Sequence, residues 1–222
     1  MTFLPGRRVV SRSPHRRVGY VSCPWFQQEQ IAYESLLELG FVRIALLCPG
    51  VQKIQAQPFK LPLGDGLHYT PDFLLTINDS LRLVVEVKPR EHVPKHQSKL
   101  DVAADVLRRH GYEFLLCTDE SIVVGGRHDK AAKLLRHGQS MTCPEHCARI
   151  ASVVRGLKFP QTLERLSKLT GLEPHQVCGA IARRALTLDA NLGLEKIYSP
   201  AHLKDKDDDG YSPYTAWLGA HD

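Results

Sequence analysis

The stretch from Thr70 to Pro89, TPDFLLTINDSLRLVVEVKP, constrains the chain more than any other. Two apolar runs, Phe73 to Ile77 and Leu81 to Val87, are joined at Asn78-Asp79-Ser80, three residues that favour turns. This pattern predicts a β-hairpin with a short loop. Side chains alternate along a strand, so Glu86 and Lys88 point to one side of the sheet and Val85 and Val87 to the other. Asp72 opens the first strand, close enough across the hairpin to share the side of Glu86. An Asp, a Glu and a Lys on one face of an otherwise apolar sheet are costly to desolvate unless they have partners. Two carboxylates that repel each other become useful together when a divalent cation lies between them, and Lys88 can balance the charge that is left. The set reads as a catalytic site.

Pro71-Asp72 followed at hairpin distance by Glu86-Val87-Lys88 is similar to the PD-(D/E)xK signature of metal-dependent nucleases. Around it, Tyr33-Glu34-Ser35-Leu36-Leu37-Glu38, Gln57-Pro58, Tyr69-Thr70-Pro71-Asp72-Phe73, Glu86-Val87-Lys88-Pro89 and Cys117-Thr118-Asp119 follow one another as in TnsA. TnsA is the endonuclease subunit of heteromeric, cut-and-paste transposases. The resemblance covers Ser11 to Val124, and the remainder by layout only. It implies an α/β fold: a restriction-endonuclease-like mixed β-sheet flanked by helices, followed by a small α-rich, winged-helix-like domain. It also implies Mg²⁺ as cofactor, with Mn²⁺ able to substitute, held by Glu38, Asp72, Glu86 and the Val87 carbonyl. Glu38 matches the helix acid of the family as the last residue of Glu-Ser-x-x-Glu, and Glu34 is the alternative. A third carboxylate suits phosphate chemistry, because two dications need more than two acidic ligands. Lys88 would orient the attacking water and offset charge on the phosphate. The implied partners are double-stranded DNA at transposon ends, cut on the 5′ side, a DDE-type transposase that cuts and joins the 3′ ends, and an AAA+ ATPase regulator.

A chain of 222 residues can form one large domain or two small ones. The expected division is a basic arm over 1–20, the nuclease domain over 21–125, the winged-helix-like domain over 126–203 and a polar tail over 204–222. A hydrophobic fraction of 43% is enough for a core, and no run approaches the ~20 apolar residues of a membrane span. No apolar segment follows the basic N-terminus, so no signal peptide is expected. Six scattered cysteines suit free thiols in a reducing cytoplasm, and the resemblance to TnsA implies a bacterial one, with the protein at the nucleoid when it acts. A net charge of +5 permits a nucleic-acid partner without arguing for one.

Along the chain, Arg7, Arg8, Arg12, His15, Arg16 and Arg17 make an arm suited to phosphates or to plain solvation. Gln28 to Phe41 reads as a helix with Glu34 and Glu38 on one face. Val51 to Pro62 reads as one edge strand interrupted by Pro58. Lys95 to His110 reads as a helix, stopped by Gly111, and Tyr112 to Thr118 as a strand, which together predict a right-handed crossover to a parallel strand. Lys95, Lys99, Arg108 and Arg109 read as surface charge, with DNA-backbone contact the alternative. Asp119 reads as a turn or cap residue.

After Gly125-Gly126 the sequence predicts helices over Glu145 to Leu157, Thr162 to Thr170 and from Pro174 onward, then a wing hairpin within Thr187 to Tyr198. His175, Gln176, Arg183 and Arg184 are its candidate DNA contacts. Protein docking competes with that reading and is the one the resemblance favours. Cys143-Pro-Glu-His146-Cys147 lacks the second ligand pair of a structural zinc site, so free thiols are expected. The tail is expected to be polar and mobile. Two further readings stand beside the transposase subunit: a lone restriction or repair nuclease, and a DNA-binding scaffold that kept the nuclease fold without the catalysis.

Overall fold

The structure, a computed structural model, describes residues 4–5, 17–64, 66–77, 81–141, 143–200 and 212–219. The hairpin loop 78–80, the arginine-rich segment 6–16 and the acidic run 207–209 lie outside these residues. In chain order the strands are β1 (Leu4–Pro5), β2 (Gly19–Val21), β3 (Ile31–Tyr33), β4 (Val51–Ala56), β5 (Phe59–Gly64), β6 (Leu67–Tyr69), β7 (Phe73–Ile77), β8 (Leu81–Lys88), β9 (Glu113–Thr118), β10 (Thr187–Leu188) and β11 (Ile197–Tyr198). The helices are α1 (Leu36–Leu47), α2 (Val93–Arg109), α3 (Asp119–Val123), α4 (Arg127–Ser140), α5 (Pro144–Val154), α6 (Leu163–Thr170), α7 (Pro174–Ala182) and α8 (Ser212–Leu218).

Strands β7 and β8 pair antiparallel as expected, with Phe73 opposite Val85 and Ile77 opposite Leu81. They are the middle of a four-stranded mixed sheet of order β4-β7-β8-β9. β9 lies parallel to β8 after the α2 crossover. The period of two along β7 and β8 sends Phe73, Leu75, Leu83, Val85 and Val87 into the core shared with α1, where Phe41 stacks on Phe73 at 5.4 Å. The alternate residues Leu74 and Val84 face α2 and meet Leu100, Ala103 and Leu107. Glu86 and Lys88 have the parity of Val84, so they emerge on the α2 side of the sheet.

One strand and one helix expectation are corrected. Val51 to Pro62 is two strands, not one: β4 is the sheet edge, while β5 joins a separate small sheet of order β1-β5-β6. The break falls at Gln57, whose φ of 42° no strand tolerates, and Pro58 follows. The helix expected from Gln28 starts instead at Leu36, because Ser35 caps it: its hydroxyl accepts the Glu38 N–H at 3.1 Å. Residues Ile31 to Tyr33 are a short strand paired with β2, and Glu34 precedes the helix.

Beyond Gly126 the helices α5, α6 and α7 and the antiparallel β10–β11 hairpin fall where the sequence placed them. α4 lies in the stretch that reads as helical without assigned bounds, and it joins this region to the sheet by packing on both α1 and α7. Its approach to α7 requires glycine. A Cβ on Gly138 would lie 2.7 Å from the Ala182 Cβ, and one on Gly179 would lie 3.0 Å from the His137 carbonyl oxygen. One apolar core therefore runs from Phe41 and Leu83 through Leu134 to Val177 and Ile197. Part of the tail is also corrected. Ser212–Leu218 is a helix with Tyr214, Trp217 and Leu218 buried in that core. Trp217 Nε1 donates to the Leu188 carbonyl at 3.3 Å, and Arg127 donates to the Trp217 carbonyl. No helix among the described residues is long and apolar enough to cross a membrane.

Candidate active site

The end of β8 and the start of β7 bring the motif residues together. Asp72 directly precedes Phe73, the partner of Val85, and its Oδ2 accepts the Val87 N–H at 2.8 Å. Its own carbonyl accepts the Gln57 N–H at 2.8 Å, so the bend after β4 holds this end of the hairpin in place. Glu86 is 6% exposed. A carboxylate so deeply placed needs partners, and it has one for each oxygen. Lys88 Nζ lies 2.9 Å from Oε1, and the Tyr69 hydroxyl donates to Oε2 at 2.8 Å. Tyr69, at the end of β6, was not singled out in the sequence. Its position just before Thr70-Pro71-Asp72 was the available signal.

The electrostatics follow from this packing. Burial pushes the Asp72 carboxyl well above the usual range, the charges of Glu86 and Glu38 push it further, and the Val87 N–H and Lys88 oppose the rise. Burial also raises Tyr69, with the Glu86 charge adding to it, so the phenol remains a hydrogen-bond donor. A buried Glu86 and a half-buried Asp72 with one ammonium, that of Lys88, in contact with Glu86 are short of positive charge. Hard oxygen donors in that state suit a hard divalent cation.

The helix acid is placed differently from the pair on the sheet. Glu38 is the third residue of α1 and turns back on its N-terminus, where its carboxylate accepts the Glu34 N–H at 2.7 Å and the Ser35 hydroxyl at 2.9 Å. This resembles a capping box, and Ser35-x-x-Glu38 is its sequence signature. Burial raises the Glu38 carboxyl as well, and the charges of Glu34 and Glu86 add to the rise. Glu34, outside the helix, lines the same cleft as Asp72, Glu86 and Lys88, a cavity of about 570 Å³. Among the described residues, no group of three or more His, Cys, Asp and Glu side chains is arranged to hold a metal ion. As placed, Asp72 and Glu86 form a two-carboxylate pair.

The other candidates lie elsewhere. Arg184 turns inward: its guanidinium donates to the Leu46 carbonyl at 2.8 Å and to that of Val51, and it stacks on Phe26. Arg183 covers Trp25 and donates to the Gly138 carbonyl at 3.1 Å. Both arginines expected to offer DNA contacts are thus engaged within the fold. Gln176 bonds back to the Glu173 N–H at the start of α7, while His175 is exposed beside His137. Asp119 is the first residue of α3, after the N-cap Thr118, and accepts the Arg90 N–H at 2.7 Å. All six cysteines are free, and Cys143 and His146 line a separate small cavity with His137 and His175.

Residues 48–119, from the end of α1 through β9, match the family described as TnsA-like endonuclease N terminal. The matched segment contains Tyr69, Asp72, Glu86 and Lys88. No curated protein matches the chain.

Proposed function

We propose that this chain, whose residues 48–119 match the TnsA-like endonuclease N-terminal family, is a metal-dependent DNA endonuclease subunit of a heteromeric cut-and-paste transposase. It hydrolyses phosphodiester bonds at the 5′ sides of transposon ends in double-stranded DNA. The observation that carries this reading is the Lys88–Glu86 contact of 2.9 Å beside Asp72 at one end of the β7–β8 hairpin.

Asp72 and Glu86, with the Val87 carbonyl, are the groups that would hold Mg²⁺ or Mn²⁺, and Glu38 or Glu34 would complete the set. The ion supplies charge neutralisation at the phosphate and a more acidic water. Lys88 already faces the carboxylate pair, so its ammonium can orient a water and balance charge growing on the phosphate. Tyr69 and the Val87 N–H fix the two carboxylates without changing their charge. Removing a preorganised electrostatic group of this kind costs roughly 10²-fold or more in rate. A DDE-type transposase acting on the 3′ ends and an AAA+ regulator are the partners this role requires, and the region beyond Gly126 is the module offered to them.

Plasmids carrying transposon ends, incubated with Mg²⁺ or Mn²⁺ with and without the partner transposase, provide the test. Nicking that disappears in Lys88→Ala and Asp72→Ala supports the assignment, and nicking that survives both overturns it. Strict dependence on the transposase favours the subunit over a lone nuclease.

A further inference from the structure

The cleft that holds Asp72 and Glu86 has a second wall, and that wall is basic. Lys60 comes from β5, and His96 and Lys99 stand three residues apart on α2, all lining the cavity of about 570 Å³. Helix α2 packs directly on β5, so both elements belong to one side of the cleft. Residues three apart share a helix face, so α2 turns one edge of its polar surface toward the carboxylates.

Several basic side chains nearby are ion-paired. Arg108, further along α2, is tied to Asp105 at 2.8 Å, Arg90 to Glu120 at 3.2 Å, and Lys53 to Glu29 at 3.8 Å. Lys60, His96 and Lys99 make no ion pair with any described residue, although Glu34, Asp72 and Glu86 line the same cavity. Lys60 and Lys99 are exposed, so holding them apart from the carboxylates costs the fold little. Of the three ammonium groups that line this cleft, Lys88 pairs with Glu86, while Lys60 and Lys99 stay apart from the carboxylate pair. A dication on the carboxylate pair then leaves an excess of positive charge, concentrated on the α2–β5 wall.

We infer that Lys60, His96 and Lys99 form a phosphate track. They grip the DNA backbone next to the bond to be cut and set its position over Asp72 and Glu86. This rests on the nuclease reading and adds to it the side from which the strand is held. The division of labour is between position and chemistry: Lys88 acts at the reacting phosphate, whereas the track touches its neighbours. Contacts to phosphate fix register and carry no sequence information, so the track serves any end sequence.

The test measures DNA binding by the full chain carrying Lys88→Ala, with Mg²⁺, over a series of salt concentrations. Each phosphate contact removed lowers the slope of log K against log salt by about 0.9. Lys60→Ala and Lys99→Ala are each expected to lower the slope by about that amount and to weaken binding roughly tenfold near 0.1 M salt. His96→Ala is expected to weaken it less, and Arg108→Ala and Arg109→Ala to leave the slope unchanged. In otherwise wild-type protein, the lysine variants should raise KM for DNA by a larger factor than they lower kcat. Unchanged slopes in a protein that still binds and cuts DNA would overturn the track alone, whereas failure of the unmodified chain to cut DNA removes the nuclease reading with it.

Discussion

Tyr69 donates its phenolic hydrogen to Glu86 Oε2 at 2.8 Å from a position that is itself 4% exposed. With Lys88 on Oε1 at 2.9 Å, this fixes the plane of the carboxylate before any substrate arrives. Partners of this kind, one shell behind a ligand, are worth roughly 10–100-fold in metal affinity or activity. Tyr69→Phe keeps the ring in its edge-to-face contact with Phe114 and removes only the hydroxyl. The expected result is a roughly tenfold or greater rise in the Mn²⁺ concentration needed for half-maximal nicking. The thermal shift produced by Mn²⁺ should shrink in parallel. A purely structural Tyr69 would lower the metal-free melting temperature and leave the metal-dependent shift intact.

The Asp72 carboxyl predicts a pH signature. Its pKa in the fold lies well above the ordinary value near 3.8, first because it is buried and second because Glu86 is close. The native state therefore holds a proton that the unfolded chain has released, so stability falls as pH rises from about 4 through the raised native pKa. In EDTA, the melting temperature of the wild type should decline over that window and that of Asp72→Asn should decline less, leaving the variant more stable at pH 8. Mg²⁺ should restore the wild type at pH 8 and not the variant. Parallel melting curves for the two proteins across pH would contradict the placement of Asp72.

Arg184 is predicted to matter for stability rather than for DNA. Its guanidinium, held charged despite burial that lowers its pKa to about 10, caps the carbonyls at the end of α1 and that of Val51. Arg184→Ala leaves those acceptors unsatisfied and should cost about 2–4 kcal/mol in urea unfolding. An Arg184→Ala protein that melts normally but loses DNA affinity would reverse this assignment.

What the sequence revealed follows the range of the interactions. The β7–β8 hairpin and the α2 crossover were legible because alternation, turn residues and helix stops all act within a few residues. So was the convergence of Asp72, Glu86 and Lys88, which depends only on strand parity. The start of α1 was misread, since Ile31 and Tyr33 fit a helical stripe as well as a short strand, although Ser35-x-x-Glu38 marked the true cap. Arg184 gave no local sign of its role, because the carbonyl it caps at Leu46 is 138 residues away. Tyr69 was hidden for a related reason: an aromatic residue before a turn is ordinarily core, and only the folded register shows its hydroxyl meeting Glu86.

The tail tests the same lesson. A mobile polar segment could be removed without cost, but Trp217 is 2% exposed and bonded to the Leu188 carbonyl. Trp217→Ala should destabilise the protein by about 3–5 kcal/mol, and truncation before Ser212 by at least as much. Unfolding midpoints equal to the wild type would show that α8 does not dock as described.

Glu38 and Glu34 can be separated because their present roles differ. Gln serves at the third position of a capping box as Glu does, so Glu38→Gln should preserve the cap on Ser35 and leave the melting temperature close to wild type. It nevertheless removes a charge that a dication would use. If Glu38 leaves its cap to complete the metal set, Glu38→Gln should lower the nicking rate by roughly 10²-fold or more at unchanged stability, and Glu34→Gln should have a much smaller effect. The reverse ranking would assign the third carboxylate to Glu34, which already lines the cleft beside Asp72 and Glu86. The cap makes Glu38 costlier to recruit, since its hydrogen bonds to the Glu34 N–H and the Ser35 hydroxyl must break first. That cost predicts a weak second metal site, so the dependence of rate on Mn²⁺ should show two phases in the wild type and one in the variant that lacks the third ligand.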